Sequence, residues 1–240
     1  MQVELASVRF SKIGIVTRDA QGNYDVGPFP RIGGPFETAQ SFFTAWARYA
    51  EFPARSFELL ARMAEQGQEN LAREVSDSIA RFPSRLIQII SKQTTLKPGP
   101  FPVCHNDLMH SNIIVDKNLK ALGIIDWEGA CTLPWELVEY PLFLDTLPRA
   151  FSAPDKYNDE GVPLDPETKE CWLDRERYLD MVQKADSNDH QLSRSLGSAK
   201  DLALAYVMRA FQAGKLGFYD RVLDQYLEQT LLYSGEDGWS

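Results

Sequence analysis

FPVCHNDLMHSNIIVDKNLKALGIIDWE, residues 101–128, is the stretch on which the reading of this chain turns. Two apolar runs, Ile113-Ile114-Val115 and Ala121 to Ile125, flank the turn-forming Asp116-Lys117-Asn118. Short β-prone runs around such a turn predict a β-hairpin. His105, Asp107 and Asn112 stand just before its first strand, and Asp126 closes its second. Polar side chains are thereby gathered at one end of a small apolar element, which points to a site rather than a decorated surface.

The spacing gives the site a chemistry. His-x-Asp followed after four residues by Asn is the catalytic-loop pattern of phosphoryl-transfer kinases, and a strand ending in Asp supplies a second metal ligand. C-H-N-D-L-M-H-S-N-I-I-V-D followed by G-I-I-D-W-E resembles the aminoglycoside phosphotransferase and choline-kinase-like group, whose protein-kinase-like fold acts on small hydroxyl substrates. VELASVRFSKIGIV and IGGPF are similar to large fungal members of unassigned substrate. The resemblance covers nearly the whole chain, but only the C-terminal lobe of the family's two. It implies ATP and Mg²⁺ as cofactors, Asp107 and His105 as catalytic-loop residues, and Asn112 and Asp126 as metal ligands. Asp107 is the expected base for the substrate hydroxyl. His105 is expected to hold the loop through a backbone hydrogen bond. His110 and Ser111 read as solvent-facing loop residues, and Glu128 as a turn cap or a holder of a metal-bound water.

Composition sets the bounds. At 240 residues the chain is long enough to bury a sizeable core as one domain, 1–240, with the catalytic and metal-binding stretch at 101–128 and a helical acceptor side at 129–234. Its 44% apolar and 25% charged residues are those of an ordinary globule. The net charge of −9 argues against general nucleic-acid affinity and is compatible with a cationic acceptor. No apolar run approaches a membrane span, and the opening residues lack signal-peptide character, so a cytoplasmic location is expected. Cys104, Cys131 and Cys171 are odd in number and far apart in sequence, and read as core thiols in a reducing compartment.

The remaining segments predict a mainly helical α+β architecture with short strands around the site. Residues 1–9 read as the end of a helix or a lead into a strand. Phe10 to Arg18 and Tyr24 to Val26 predict a hairpin. Gly27 to Pro35 is a loop, and its Gly33-Gly34 pair reads as a turn rather than a phosphate cradle. Thr38 is a candidate N-cap for a helix with Phe42, Phe43, Trp46 and Tyr49 at helical spacing. Helices follow around Phe57 to Ala64 and from Leu71 to Ile90, the latter strained at Pro83. Leu96 to Pro102 breaks the chain, and Trp135 to Tyr140 is a short helical turn. Phe151 to Pro166 reads as a surface excursion. Helices are expected at Pro166–Ala185, with Asp165 as cap, at Leu192–Lys215, with Asp189 helping to cap it, and at Tyr219–Tyr233. The tail from Ser234 to Gly238 is expected to fray.

The family's first lobe carries a nucleotide-covering loop and a strand lysine. Neither is recognisable here, and the first lysine, Lys12, lies in the early hairpin. Weak or no kinase activity is therefore expected of this polypeptide alone, with apolar surface left exposed where that lobe would sit. A catalytically silent kinase-like module for binding or scaffolding is the competing reading. A metal-dependent hydrolase using Asp107 and Asp126 is a third, which leaves the Asn112 spacing without a purpose. Glu136, Glu139, Asp145, Asp174, Glu176 and Asp180 offer carboxylates to a cationic acceptor, and Trp135, Tyr140 and Trp172 offer cation–π faces.

Overall fold

The computed structural model describes residues 1–93, 96–187 and 189–234. Its strands are β1 (Arg9–Phe10), β2 (Gly14–Arg18), β3 (Tyr24–Gly27), β4 (Phe101–Cys104), β5 (Ile113–Val115), β6 (Ala121–Ile124) and β7 (Cys131–Thr132). Its helices are α1 (Gln2–Ser7), α2 (Ala39–Tyr49), α3 (Arg55–Glu65), α4 (Glu69–Lys92), α5 (Pro166–Ala185), α6 (Gln191–Leu196), α7 (Ala199–Gln212) and α8 (Tyr219–Ser234). About half of the chain is helical, as the apolar spacing predicts. Among the described residues no helix is long and apolar enough to cross a membrane.

Strand pairing divides into two sheets. The larger is antiparallel with the order β1-β4-β7-β2-β3, and the smaller is the β5-β6 hairpin alone. The hairpin β2-β3 forms where expected. Asp19 builds its turn, its Oδ1 accepting from the backbone of Gln21 at 2.9 Å and Asn23 at 2.8 Å. Phe10, however, is not part of that hairpin: it sits in β1 and pairs with Phe101. The run is broken at Ile13, fully buried, which exchanges backbone hydrogen bonds with Phe36 instead. Strand β4 was hidden from sequence reading by its proline. Pro102 has no N–H to donate, but its carbonyl still accepts from Leu133, and Val103 N–H reaches Val8 O at 2.9 Å.

Helix α2 starts at the predicted cap, with Thr38 Oγ1 accepting from Ser41 N at 3.1 Å. Phe42, Phe43 and Trp46 are buried on its inner face, while Tyr49 lies off the stripe and is exposed. Helix α4 runs on through Pro83 without ending. The backbone hydrogen bond that Pro83 cannot donate is offset by packing, since Phe82 and Leu86 on either side are fully buried. Rings of Trp46, Phe82, Phe211 and Tyr219 meet at centroid distances of 4.9 to 5.9 Å and join α2, α4, α7 and α8. Arg85 of α4 clamps α8 through Asp220 at 3.0 Å and Asp224 at 2.5 Å.

Two expectations past the hairpin need correction. The single helix from Leu192 to Lys215 is two helices, α6 and α7, divided at Gly197-Ser198. Ser198 Oγ caps α7 by accepting from Asp201 N, so the apolar periodicity continued across a break that a cap had placed. Phe151 does not belong to the surface: it is 2% exposed and meets Tyr206 and Tyr219 edge-on at 5.4 and 5.0 Å. Asp165 caps α5 as predicted, its carboxylate accepting from Thr168 N at 2.8 Å. Residues 235–238 of the expected frayed tail lie outside the described residues.

Candidate active site

Buried strand β4 delivers the loop. At its end His105, 6% exposed, turns its Nε2 to the carbonyl of Ile125 at 2.9 Å. A carbonyl accepts, so Nε2 carries the proton; Nδ1 is buried without a partner among the described residues. The Trp127 ring packs edge-on against the imidazole at 4.9 Å, and its indole N–H donates to Ile124 O at 2.9 Å. This hydrogen bond joins the start of the loop to the residue that follows β6.

The loop then closes on itself. Met109 N donates to Asp107 O at 2.9 Å and Asn112 N to Met109 O at 3.0 Å, through a 3-10 turn at His110–Asn112. Leu108 is buried, and its carbonyl accepts from Leu142 N at 3.0 Å. That apolar anchor leaves Asp107 on the exposed side. Asn112 is 7% exposed and faces inward, where its Nδ2 donates to the backbone carbonyl of Asp107 at 2.8 Å and to its carboxylate at 3.1 Å. Its Oδ1 accepts from Ser111 Oγ at 3.4 Å.

Asp126 reaches the same end through the hairpin register. Ile113 pairs with Ile124, and Ile125 N donates to Asn112 O at 3.0 Å, so the residue after Ile125 leaves the ladder beside Asn112. Asp126 takes a left-handed φ of 62°. That conformation costs a non-glycine residue on the order of 1 kcal/mol, and such backbone strain gathers at sites where geometry is held by the surroundings. The site thus brings together Asp107, Asn112 and the segment carrying Asp126, with His105 behind them.

The donor set suits a hard cation. Asn112 Oδ1 is a neutral oxygen with one long hydrogen bond, and the exposed Asp126 offers an anionic one. Among the described residues no cluster of three or more His, Cys, Asp or Glu side chains is arranged to hold a metal ion. One amide and one carboxylate, completed by water and phosphate oxygens, is the arrangement that Mg²⁺ accepts.

Neighbouring residues frame the loop. His110 and Ser111 are exposed, as expected, and the His110 ring stacks on Phe143 at 4.0 Å. Asn106, unremarked in the sequence, bridges loop and sheet: its Nδ2 donates to Gly129 O at 2.8 Å, and its Oδ1 lies 3.3 Å from Cys131 Sγ. Its position between His105 and Asp107 was the one available signal. Cys104 and Cys131, distant in sequence, are cross-strand partners. Burial pushes the Cys131 thiol up to about 12 and raises that of Cys104. The acidic candidates are largely engaged. Glu136 is 3% exposed, accepts from Lys97 N at 2.6 Å, and is raised by burial. Glu139 and Asp145 both hold Arg209, and Asp174 pairs with Arg177. Trp135 and Tyr140 already carry Arg9 and Arg175 on their faces.

The chain is similar to known proteins over part of its length. Altered inheritance of mitochondria protein 9, mitochondrial, of Saccharomyces cerevisiae (strain YJM789) is 31% identical over 128 residues, which is 53% of this chain and 18% of the yeast protein. The chain thus spans about a fifth of that relative's length. No solved structure matches it. The phosphotransferase enzyme family matches residues 16–135, half of the chain and the half that holds the loop and Asp126. The chain belongs to the phosphotransferase enzyme family.

Proposed function

We propose that this chain is the C-terminal lobe of a kinase-like fold and moves the γ-phosphate of ATP to a hydroxyl of a small molecule. The observation that carries the reading is the double hydrogen bond from Asn112 Nδ2 to Asp107. It fixes the base and a metal-side amide as one unit. In this reading the Asp107 carboxylate accepts a hydrogen bond from the acceptor hydroxyl, orients it and takes its proton. Asn112 Oδ1 and Asp126 would hold Mg²⁺, which together with ATP supplies the phosphoryl group and offsets its charge. His105 keeps the two arms of the site in register through Ile125 O.

Positioning and charge neutralisation provide nearly all catalysis in phosphoryl transfer. A glycine-rich nucleotide loop and a strand lysine are not recognisable in these 240 residues, so slow turnover is expected of this polypeptide on its own. The second reading, a silent kinase-like module, shares the fold and parts from the first at turnover.

Thermal denaturation with and without MgATP, followed by an assay of phosphate release from ATP, separates them. MgATP should raise the melting temperature, and Asp126→Ala should abolish the rise. Asp107→Asn should keep the rise and lose on the order of 10²-fold or more of turnover. Stabilisation that persists in Asp126→Ala would place the nucleotide elsewhere, and a rise without any turnover would favour the silent module. The cytoplasmic location expected from the sequence stands against the mitochondrial name of the yeast relative. Cell fractionation decides between them.

A further inference from the structure

We propose that Asn106 is a positioning residue for Asp126. Together with His105 it brackets the segment from Ile125 to Gly129 and sets where the Asp126 carboxylate stands relative to Asp107. The proposal rests on the reading of Asp126 as a metal ligand under Proposed function, and gives a role to a side chain that reading leaves out.

Asp126 lies where the chain has little support of its own. It follows β6, whose hairpin pairs with no third strand, and precedes β7, which is held in the large sheet between β4 and β2. Residues 125–130 make the crossing. Asp126 and Gly129 both take a left-handed φ, 62° and 78°, and Ala130 N donates to Trp127 O at 3.0 Å. That bond closes a β-turn with glycine at its third position, where a positive φ is needed. The result is a short exposed arc whose placement depends on how its ends are tied.

Both ends are tied to the two residues that precede Asp107. His105 Nε2 donates to Ile125 O, just before Asp126, at 2.9 Å. Asn106 Nδ2 donates to Gly129 O, beyond it, at 2.8 Å. Among the described residues this is the only hydrogen bond from the loop to residues 126–129. Cys131 fixes which way the Asn106 amide points. Its thiol lies 3.3 Å from Oδ1 and donates to it. A reversed amide would set its oxygen against Gly129 O, acceptor against acceptor. The side chain is therefore held in the one orientation that grips the arc. Because Asn106 adjoins Asp107, the position of Gly129 is tied to that of Asp107 through a single intervening peptide. Supporting contacts of this kind set the geometry of a site to within fractions of an ångström. Asn106 is exposed, so its loss removes the tie and little of the core.

Fluorine NMR of the whole chain labelled with fluorotryptophan tests the assignment, since Trp127 sits inside the bracketed arc and Trp127→Phe identifies its resonance. Asn106→Ala removes the side chain. Asn106→Asp keeps its size and the oxygen that faces Cys131, but has no donor for Gly129 O. In both variants the Trp127 resonance should shift or broaden while those of the buried Trp46 and Trp135 stay in place. The melting temperature should fall by no more than about 3 °C. Isothermal titration with MgATP then reads the site itself, and Kd should rise roughly tenfold in each variant. A general loss of stability would move the melting temperature and leave both other readouts as they were. A Trp127 resonance unmoved in both variants would overturn the proposal, and so would a moved resonance with unchanged MgATP affinity. Failure of the wild-type chain to bind MgATP is a different result. It would overturn the reading of Asp126 as a metal ligand, and the Trp127 resonance would still decide whether Asn106 fixes the arc.

Discussion

Strands β4 and β7 and the hairpin β5-β6 all belong to the span from Phe101 to Thr132, yet they are built in opposite ways. In β4, Phe101 and Val103 are buried, and Cys131 and Thr132 of β7 are at most 1% exposed. The hairpin carries an equally apolar sequence and leaves it outside: Ile114 is 42% exposed, Leu122 65% and Leu119 82%. Strand partners on both sides and helices behind secure the first pair. The hairpin is tied to the rest mainly at its base, by His105 to Ile125 O and Trp127 to Ile124 O. The candidate site lies on the seam, with Asp107 on the loop that leaves the firm sheet and Asp126 on the arm that leaves the loose one. The geometry of the pair thus depends on a few hydrogen bonds rather than on a core.

The largest effect should come from the firm side. Phe101→Ala removes a ring that is 1% exposed and pairs with Phe10 across the sheet. It should cost about 3–5 kcal/mol in urea denaturation. A loss below about 1 kcal/mol would mean that the large sheet is no more secure than the hairpin, and the comparison would fail.

Next in size is the seam itself. His105→Leu keeps the buried position apolar and removes the donor to Ile125 O. A cost of about 1–3 kcal/mol is expected, together with loss of the MgATP-induced rise in melting temperature. In hydrogen exchange the wild-type amides of β5 and β6 should already open faster than those of β4 and β7, since exposed hydrogen bonds and few buried contacts mark the low-stability end of a fold. In the His105 variant that gap should widen. Unchanged exchange in the hairpin would show that His105 does not fasten it.

Much of this was legible in the chain because it is local. The hairpin, its Asp116 turn and the Thr38 and Asp165 caps all follow from residues close to one another in sequence. Asp116 Oδ1, for example, accepts from Asn118 and Lys120 N at 2.8 and 2.9 Å, as a turn-forming aspartate should. What was not legible is long-range. Cys104 faces Cys131, Arg9 finds Asp189 and Arg209 claims Glu139 and Asp145 only after the fold has closed. A strand of two residues such as β7, or one containing Pro102, has no periodicity to read and exists because partners were waiting on either side. The same reason made the acidic residues beyond the hairpin look free for a ligand: their partners were invisible at that distance.

A smaller effect belongs to the outer edge of the large sheet. Arg9 of β1 grips Asp189, ahead of α6, with both terminal guanidinium nitrogens, and this pairing holds the Asp189 carboxyl down at about 2. The folded value lies below the ordinary value of 3.8, so the contribution is fully present above about pH 4 and is lost as pH falls toward about 2. Asp189 is 42% exposed, which screens the pair, and Asp189→Asn should cost less than about 1 kcal/mol at neutral pH. The difference between variant and wild type should shrink in acid and in high salt. A difference that persists at pH 2 would assign the effect to the hydrogen bond to Gln191 N rather than to the charge.

The smallest effect is the sharpest probe of the loose side. Leu122 projects from β6 with most of its surface in solvent, so Leu122→Thr keeps the strand propensity and removes only exposed apolar area. Stability should change by no more than about 0.5 kcal/mol, and solubility should improve because the exposed face of the hairpin becomes less continuous. A loss above about 1 kcal/mol would require Leu122 to be covered in solution, by a second copy or another surface. That result would change the comparison at its root: the hairpin would then be loose only in isolation, and the position of Asp126 would be fixed by whatever lies against it rather than by the bonds at its base.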